Sequence, residues 1–330
     1  MKVSVVLSSY NGELSVSVKS KVTPFWMKVS VVLSSYNGEQ DIIEQLRSID
    51  GQTRQPDEVL ICDDCSTDGT VNLVQNYIEK KRLKNWKLVV NKKNKGWRKN
   101  FIDGILASTG DLIFTSDQDD IWREDKIEIM EKIMLEHSEI NLLASNYREF
   151  YPDGKEKTGP NKNDKRLVQV KARNNFLLVD SPGCTHCFRR SLFDIAYPYW
   201  FEEYLHDALM WRAALFSDSL YTLNDDLIRW RKHTDSAFSK EAKDLKDKRA
   251  KAEWIDLNLR VIDDLRKFVR VNNFKNNEKV LERNERCFKL RQKFFSNSNV
   301  LTGVKLIRYW NCYPRYRQYL GDWYLIFIKG

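Results

Sequence analysis

The sequence predicts an α/β protein: a mostly parallel sheet flanked by helices, carrying a C-terminal helical extension. Three observations lead there. From Met27 onward, short apolar runs alternate with stretches whose apolar residues recur at helical spacing, the pattern of strands joined by helical crossovers and covered on both faces. The runs end in acids and turn residues, and in such sheets ligands bind outside the carboxyl ends of the strands. Past about Lys240 the alternation gives way to long, charged, helix-like segments. The composition agrees. With 42% hydrophobic and 31% charged residues but only 13 Gly and 7 Pro, the chain is globular, not collagen-like, low-complexity or wholly disordered. No run approaches the ~18 apolar residues that a membrane-spanning helix needs.

The block MKVSVVLSSYNGE stands at Met1–Glu13 and again, letter for letter, at Met27–Glu39. Only the second copy runs on into a helical pattern, Ile42, Ile43, Leu46 and Ile49. Residues 1–26 therefore read as a duplicated segment outside the core, or as one extra strand, with Met27 as the natural start. Two copies are too few for a solenoid. Val29–Ser34 is the first strand, closed by Asn37-Gly38. Val59–Cys62 is the second, and Ser66, Thr67 and Asp68 offer an N-cap to the helix carrying Val71, Val74 and Ile78. Leu88–Val90 and Leu112–Thr115 are the third and fourth, separated by a helix around Phe101–Ala107; a helix over Asp125–Leu135 and the strand-like Ile140–Ser145 follow. These elements divide the chain into a first half, 27–145, a second half, 146–239, and the extension, 240–330.

Three strand ends then deliver acids and an aromatic to one rim. The first carries Ser34, Ser35, Tyr36, Asn37 and Glu39, the second Asp63 and Asp64, and the fourth Asp117, Gln118, Asp119 and Asp120. Like charges so placed destabilise an empty site unless a cation neutralises them, and hard carboxylates suit Mg²⁺ or Mn²⁺. The chain has neither GxGxxG nor a Walker-type lysine, which argues against dinucleotide or ATP binding by those routes.

The segments VSVVLSSYNGE, VLICDDCSTDGT, NKGWRKNF and GDLIFTSDQDDIWREDKI, taken in order, resemble the family 2 glycosyltransferases of GT-A, Rossmann-like fold, and the SDQDDIW segment resembles their rhamnosyltransferase-like branch. The resemblance implies a metal-dependent inverting transferase that takes a nucleoside-diphosphate sugar, rhamnose from dTDP-rhamnose or else a UDP-hexose, to a saccharide or lipid-linked saccharide acceptor of a cell-surface polysaccharide. A nucleotide-sugar-binding or membrane-scaffold protein without turnover is the reading from another class. Carried over residue by residue, Tyr36 and Glu39 would line the base and ribose pocket, Asp64 would face the pyrimidine, and Lys99 would lie near the nucleotide. Asp117 and Asp119 would form the DxD pair, Asp117 toward the ribose or sugar and Asp119 on the metal. Asp120 would either cap the next helix or touch substrate. SPGCTHCFRR resembles the acceptor-facing loop. LHDALMW resembles the segment of the catalytic acid, which makes Asp207 the general base, although Ala208 follows it where an aromatic is often found. In IRWRKHTDSAFS, Arg231 and His233 would meet the diphosphate or the metal. One carboxylate facing away from the leaving group suffices for direct displacement with inversion.

The net charge of +9 resides wholly in the tail: residues 240–330 hold 22 Lys/Arg against 11 Asp/Glu. A uniformly basic nucleic-acid-binding domain is thereby excluded, and no nucleic-acid partner is expected. The last stretch interleaves Arg308, Arg315 and Arg317 with Tyr309, Trp310, Tyr313, Tyr316, Tyr319 and Trp323, which suits headgroup-level membrane contact or, equally, a helical cap packed on the main domain. Six cysteines are too few for a disulfide scaffold, and the start lacks a secretory pattern, so a reducing, cytoplasmic setting on the inner face of the membrane is expected. The CDDC and CTHC pairs at Cys62–Cys65 and Cys184–Cys187 lie too far apart for an ordinary zinc knuckle, and Cys62 reads as a small buried hydrophobe.

Overall fold

The computed structural model describes residues 3–10 and 13–20 as backbone, and residues 26–233, 247–274 and 277–329 in full. The first copy of the repeated block forms β1 (Val3–Tyr10), which pairs antiparallel with β2 (Glu13–Ser20) in a two-stranded sheet of its own. The second copy forms β3 (Val29–Ser35), an interior strand of a ten-stranded sheet. Identical residues thus take two different positions, because only the second copy leads into a helix that can cover it.

The expected elements appear in order: α1 (Ile42–Asp50), β4 (Glu58–Asp63), α2 (Thr70–Lys81), β5 (Trp86–Val90), α3 (Trp97–Ala107), β6 (Leu112–Ser116), the short β7 (Ile121–Trp122), α4 (Lys126–Glu136) and β8 (Leu142–Phe150). Strands β6, β3, β4 and β5 lie side by side and parallel. The period-2 alternation of β3 splits its side chains between two cores. Val29, Val31 and Leu33 join Ile42, Leu46, Val74, Ile127 and Met130 of α1, α2 and α4 on one face. Val32 joins Phe101, Ile102 and Ile105 of α3 on the other. There α3 packs directly on the strands at Gly104, where a Cβ would come within 2.6 Å of Val32 and 2.8 Å of the Cys62 sulfur.

The second half makes the sheet mixed. β9 (Glu156–Thr158) pairs with β8, and β10 (Leu167–Gln169) lies at the sheet edge. β11 (His186–Arg189) inserts antiparallel between β6 and β8, so the stretch SPGCTHCFRR is a tight turn over Gly183–Thr185 followed by an internal strand. Helices α5 (Arg190–Ala196) and α6 (His206–Phe216) follow, and β12 (Leu220–Arg231) runs parallel to β8. Apolar periodicity marks a strand but carries no order within the sheet, which is why the antiparallel insertion was not expected from the pattern.

The C-terminal part is helical: α7 (Lys248–Val271), α8 (Glu278–Asn297), α9 (Val300–Lys305), a 3₁₀ segment (Leu306–Cys312) and α10 (Arg317–Phe327). Asp247 caps α7 by accepting the Arg249 and Ala250 N–H groups. Its buried side chains continue the α3–α5–α6 core without a break, from Val32 through Ile262 and Phe288 to Ile326. One face of the tail is therefore a packed cap, with Tyr313 buried and Tyr319 and Trp323 against the core. The opposite face leaves Leu301, Ile307, Trp310, Leu320 and Ile328 exposed.

Candidate active site

The rim at the carboxyl ends of β3, β4 and β6 is stitched together by its own polar residues. Tyr36 is exposed, and its backbone is clasped by Gln118: its N–H donates to Gln118 Oε1 (2.7 Å), and Gln118 Nε2 donates to its carbonyl (3.1 Å). Gln118, the middle residue of Asp-Gln-Asp, thereby ties the first loop to the fourth. Glu39 accepts the Gly69 N–H (2.9 Å) at the start of α2, where the helix dipole favours an anion. Asp68, one of the expected caps, accepts the Thr70 N–H (3.0 Å) beside it. Asp64 is buried and accepts from Asn91 Nδ2 (3.0 Å), Lys95 N–H (2.8 Å) and Gly96 N–H (2.8 Å), so it fixes the loop entering α3. Lys99 is paired with Asp103 and lies 5.8 Å from the Trp200 ring centre.

Around Asp117, Asp119 and Asp120 the chain concentrates negative charge. Withdrawal from water, then the carboxylates of Asp119 and Asp207, push the Asp117 carboxyl up to about 7. Asp120 is fully buried, and the same causes, with Asp119 and Asp117 as its neighbours, hold it well above the ordinary carboxylate range. Its Oδ1 accepts the Arg231 N–H (3.1 Å), and the Cys184 thiol lies against its carboxyl. Helix α4 begins at Lys126 after Asp125, so Asp120 does not cap it and belongs to the acid cluster. Asp119 Oδ2 lies 2.8 Å from His233 Nε2, a hydrogen bond that raises the imidazole pKa. Arg231 donates through Nε to the Asp119 carbonyl (2.8 Å) and pairs with Glu44 (2.5 Å) and Asp41 (3.3 Å) of the α1 start. Its guanidinium thus braces the DxD turn against α1. The TDSAFS end of that motif lies outside the described residues.

Asp207 lies in the first turn of α6 and is near enough to raise Asp117. Gly183 lets the acceptor-side turn lie against it, since a Cβ there would come within 3.0 Å of Asp207 Cβ and 3.2 Å of His206 Nε2. His206 stacks on Phe101 (4.1 Å between ring centres), and burial lowers its pKa to about 3, so it is neutral. Asp117, Asp119, Asp207, Arg231 and His233 therefore converge, Tyr36 joins them through Gln118, and Glu39, Asp64 and Lys99 are engaged with α2, the loop entering α3 and Asp103.

Two further residues belong to the cluster: Lys126, which no motif in the sequence singles out, and Cys184, which the sequence offers only as half of a CTHC pair. Lys126 is fully buried, donates to the Cys184 carbonyl (2.7 Å) and sits 3.9 Å from the Trp122 ring centre; burial lowers its pKa to about 8, against the pull of the neighbouring acids. It is a fixed cation beneath the carboxylates. The sulfur of Cys184 lies within 4.8 Å of carboxylate oxygens of Asp117 and Asp120. Spacing in sequence revealed neither, because both act through contacts between the two halves. Burial keeps the Cys184 thiol protonated, so the available donors here are hard carboxylate oxygens and the borderline imidazole nitrogen. These fit a divalent cation. Asp119 and His233, whose donor atoms lie 2.8 Å apart, would hold such an ion.

A parallel four-stranded half with an acidic turn at the end of β6 is thus joined to a mixed half that brings the Asp207 carboxylate up to that turn. The profile of glycosyl transferase family 2 matches residues 30–196, half of the chain, and the protein belongs to that family of glycosyltransferases. Over 153 residues, 45% of this chain, it is 34% identical to the dTDP-rhamnosyl transferase RfbG of Shigella flexneri, and it spans about half the length of that relative. The fold is GT-A-like. The TarS fragment 1–349 of S. aureus superposes with a TM-score of 0.54 at 18% identity, covering 83% of this chain and 92% of that one. The same fragment in complex with UDP-GlcNAc gives 0.56 at 21% identity, covering 84% and 83%.

Proposed function

We propose that this glycosyltransferase moves rhamnose from dTDP-rhamnose, with inversion and with the aid of a divalent cation, to a saccharide acceptor of a cell-surface polysaccharide precursor. The observation that carries the reaction type is the convergence of Asp207 on the Asp117–Asp119 turn; the choice of donor sugar rests on the S. flexneri relative. In this reading residues 27–145 bind the nucleotide and 146–239 face the acceptor. Tyr36 offers an exposed ring to the base, Asp64 shapes the pocket floor, Glu39 and Lys99 set its walls, and Asp117 lies toward the sugar. Asp119 and His233 would hold Mg²⁺ or Mn²⁺, which when bound offsets the charge of the departing diphosphate. Asp207 removes the proton of the attacking acceptor hydroxyl, a poor nucleophile until it is deprotonated. His206, neutral and packed behind it, leaves that carboxylate as the base. Arg231 keeps the Asp119 backbone in place, and Lys126 tempers the repulsion among the acids.

For a lipid-linked acceptor the exposed tail face is a reversible membrane contact. Leu301, Ile307, Trp310, Leu320 and Ile328 stand beside Lys305, Arg308, Arg315 and Arg317, and each basic residue near an anionic surface contributes about 1 kcal/mol, screened by salt. No helix among the described residues is long and apolar enough to cross a membrane.

The test is nucleotide release from dTDP-rhamnose, UDP-glucose, UDP-galactose and UDP-GlcNAc, with Mg²⁺, with Mn²⁺ and with a chelator. Release from dTDP-rhamnose that needs the metal and is abolished by Asp119→Asn is the expected result. Turnover undiminished by chelator would remove the metal, and turnover of UDP-sugars alone would replace the donor.

A further inference from the structure

A strip of positive charge without ion-pair partners runs along one free edge of the sheet. Residues 80–99 hold ten Lys and Arg and no Asp or Glu. Lys81 pairs with Asp50, and Lys95 and Lys99 pair with Asp103. Among the described residues, Arg82, Lys84, Lys87, Lys92 and Lys93 form no ion pair, and all five are exposed. They follow β5 from end to end, and β5 closes the ten-stranded sheet, pairing among the described residues only with β4. The Val59 N–H donates to the Asn85 carbonyl (3.0 Å), and the Asn91 N–H to the Asp63 carbonyl (2.8 Å). Odd-numbered positions of β5 therefore bond to β4, and the N–H and C=O groups of Leu88 and Val90 point outward. Trp86 and Leu88 turn toward the core beneath α1 and α2. Val90 lies on that face and Val89 on the opposite one, each 47% exposed.

An edge strand left bare in this way is a template for another extended chain. Charge that merely guards an edge stands within the strand. Lys87 is the one charge in Trp86–Val90, and Leu88, Val89 and Val90 follow it unbroken. The other cations lie beyond the two ends of the strand. A second copy of β5 would bring the same cations against them, and like charges face to face are unfavourable. A flat lipid surface could cover Val89 or Val90 but not both, since they point to opposite faces. It would also offer the outward N–H and C=O groups no partners. An added strand meets all three features at once. Its backbone answers Leu88 and Val90, its central side chains cover both valines, and acids at its two ends answer the cations.

We propose that the β5 edge docks an extended segment of a partner protein, apolar and β-branched at its centre and carrying Asp or Glu at both ends. The probe is a capped, fluorescein-labelled peptide of alternating Val and Thr with two Glu at each end; its counterpart carries Lys in place of Glu. Fluorescence anisotropy with the full chain is expected to show saturable binding of the Glu peptide and roughly tenfold weaker binding of the Lys peptide. Lys84→Glu together with Lys93→Glu should weaken the Glu peptide about tenfold at low salt and hardly at all in 1 M salt. Val90→Pro removes one outward N–H and spares the bonds to β4, so it should abolish binding at any salt with the thermal melt unchanged. The charge variant leaves the strand intact and decides the matter if the proline variant melts early. Hydrogen exchange across residues 86–91 should slow in the complex. The proposal is overturned if the Glu peptide does not bind, if the Lys peptide binds as well, if binding survives Val90→Pro, or if exchange across β5 is unaltered. Co-sedimentation with phosphatidylglycerol vesicles that the charge variant loses, without peptide binding, would give the strip to lipid. Self-association relieved by Val90→Pro would give it to a second copy.

Discussion

Asp322→Ala is expected to destabilise the protein by about 3–5 kcal/mol, far more than a surface substitution. Arg291 and Asp322 are 0% and 1% exposed, and they form a bidentate pair with bonds of 2.8 and 3.0 Å. Tyr313 OH donates to the same carboxylate (3.2 Å). Removing the carboxylate strands a guanidinium among the rings of Tyr313, Phe288 and Trp254, with centre distances of 4.4, 5.0 and 5.4 Å. Arginine does not escape by losing its proton, so the whole desolvation cost falls on the folded state. The cation–π contacts return only part of it. Replacing the full network by Arg291→Met, Tyr313→Phe and Asp322→Leu removes the charge together with its partners, and stability is expected to return to within about 1 kcal/mol of the parent. Urea unfolding followed by tryptophan fluorescence and circular dichroism, compared at equal m, measures both. A loss below about 1 kcal/mol for Asp322→Ala would refute the burial of this pair. A separate early transition would refute the continuity of the tail core with the α3–α6 core. The same reasoning makes a chain cut at residue 300 a poor test of membrane contact, because the cut deletes Asp322 and uncovers Phe294. Trp310→Ser with Leu320→Ser is the better perturbation, and it should reduce co-sedimentation with anionic vesicles at low salt while leaving dTDP binding unchanged.

Asp207→Asn should lower turnover by about 10²–10⁴, the usual worth of a general base, with donor affinity nearly unchanged in calorimetry; wild-type turnover would move the base elsewhere. Deleting residues 1–26 should leave the thermal melt and donor binding intact, since among the described residues β1 and β2 pair only with each other and the Met27 nitrogen already lies 3.2 Å from Glu131; loss of soluble protein would make the extension structural. Glu58 supplies an acid-sensitive part of the stability. Burial opposes its charge, but hydrogen bonds from Ser30 (2.6 Å) and Thr109 (2.8 and 3.1 Å) outweigh that and hold its pKa below the ordinary value. Its contribution is therefore complete above the unfolded value of about 4.3 and disappears as the pH falls through the lower folded value. Glu58→Gln should flatten the loss of stability between about pH 5 and pH 3, and an unchanged slope would contradict the assignment.

The order of strands and helices in the first half, and the acids that reach the rim, were legible in the sequence. Both follow from local chemistry: apolar period, turn residues and caps operate within a few residues of one another. The same reasoning reads the duplicated block as lying outside the core, because Ile42, Leu46 and Ile49 follow only its second copy; in the structure β1 and β2 pair with each other. Several features depended instead on the three-dimensional arrangement. The insertion of β11 between β6 and β8 joins segments far apart in the chain, and only that pairing brings Cys184 and the Gly183 turn under the acids and against Asp207. Lys126, which no motif in the sequence singles out, is a buried cation because α4 packs its first turn onto the Cys184 carbonyl. Arg231, expected at the diphosphate, is drawn to Asp41 and Glu44 by the way β12 passes α1. The tail, readable either as a membrane anchor or as a cap, is a cap on one face through Arg291 and Asp322 and bare on the other. Residue types determined what chemistry was present. Which groups lost water, and which charges then had to answer one another, was decided by long-range packing, since desolvation depends on neighbours that sequence spacing does not specify.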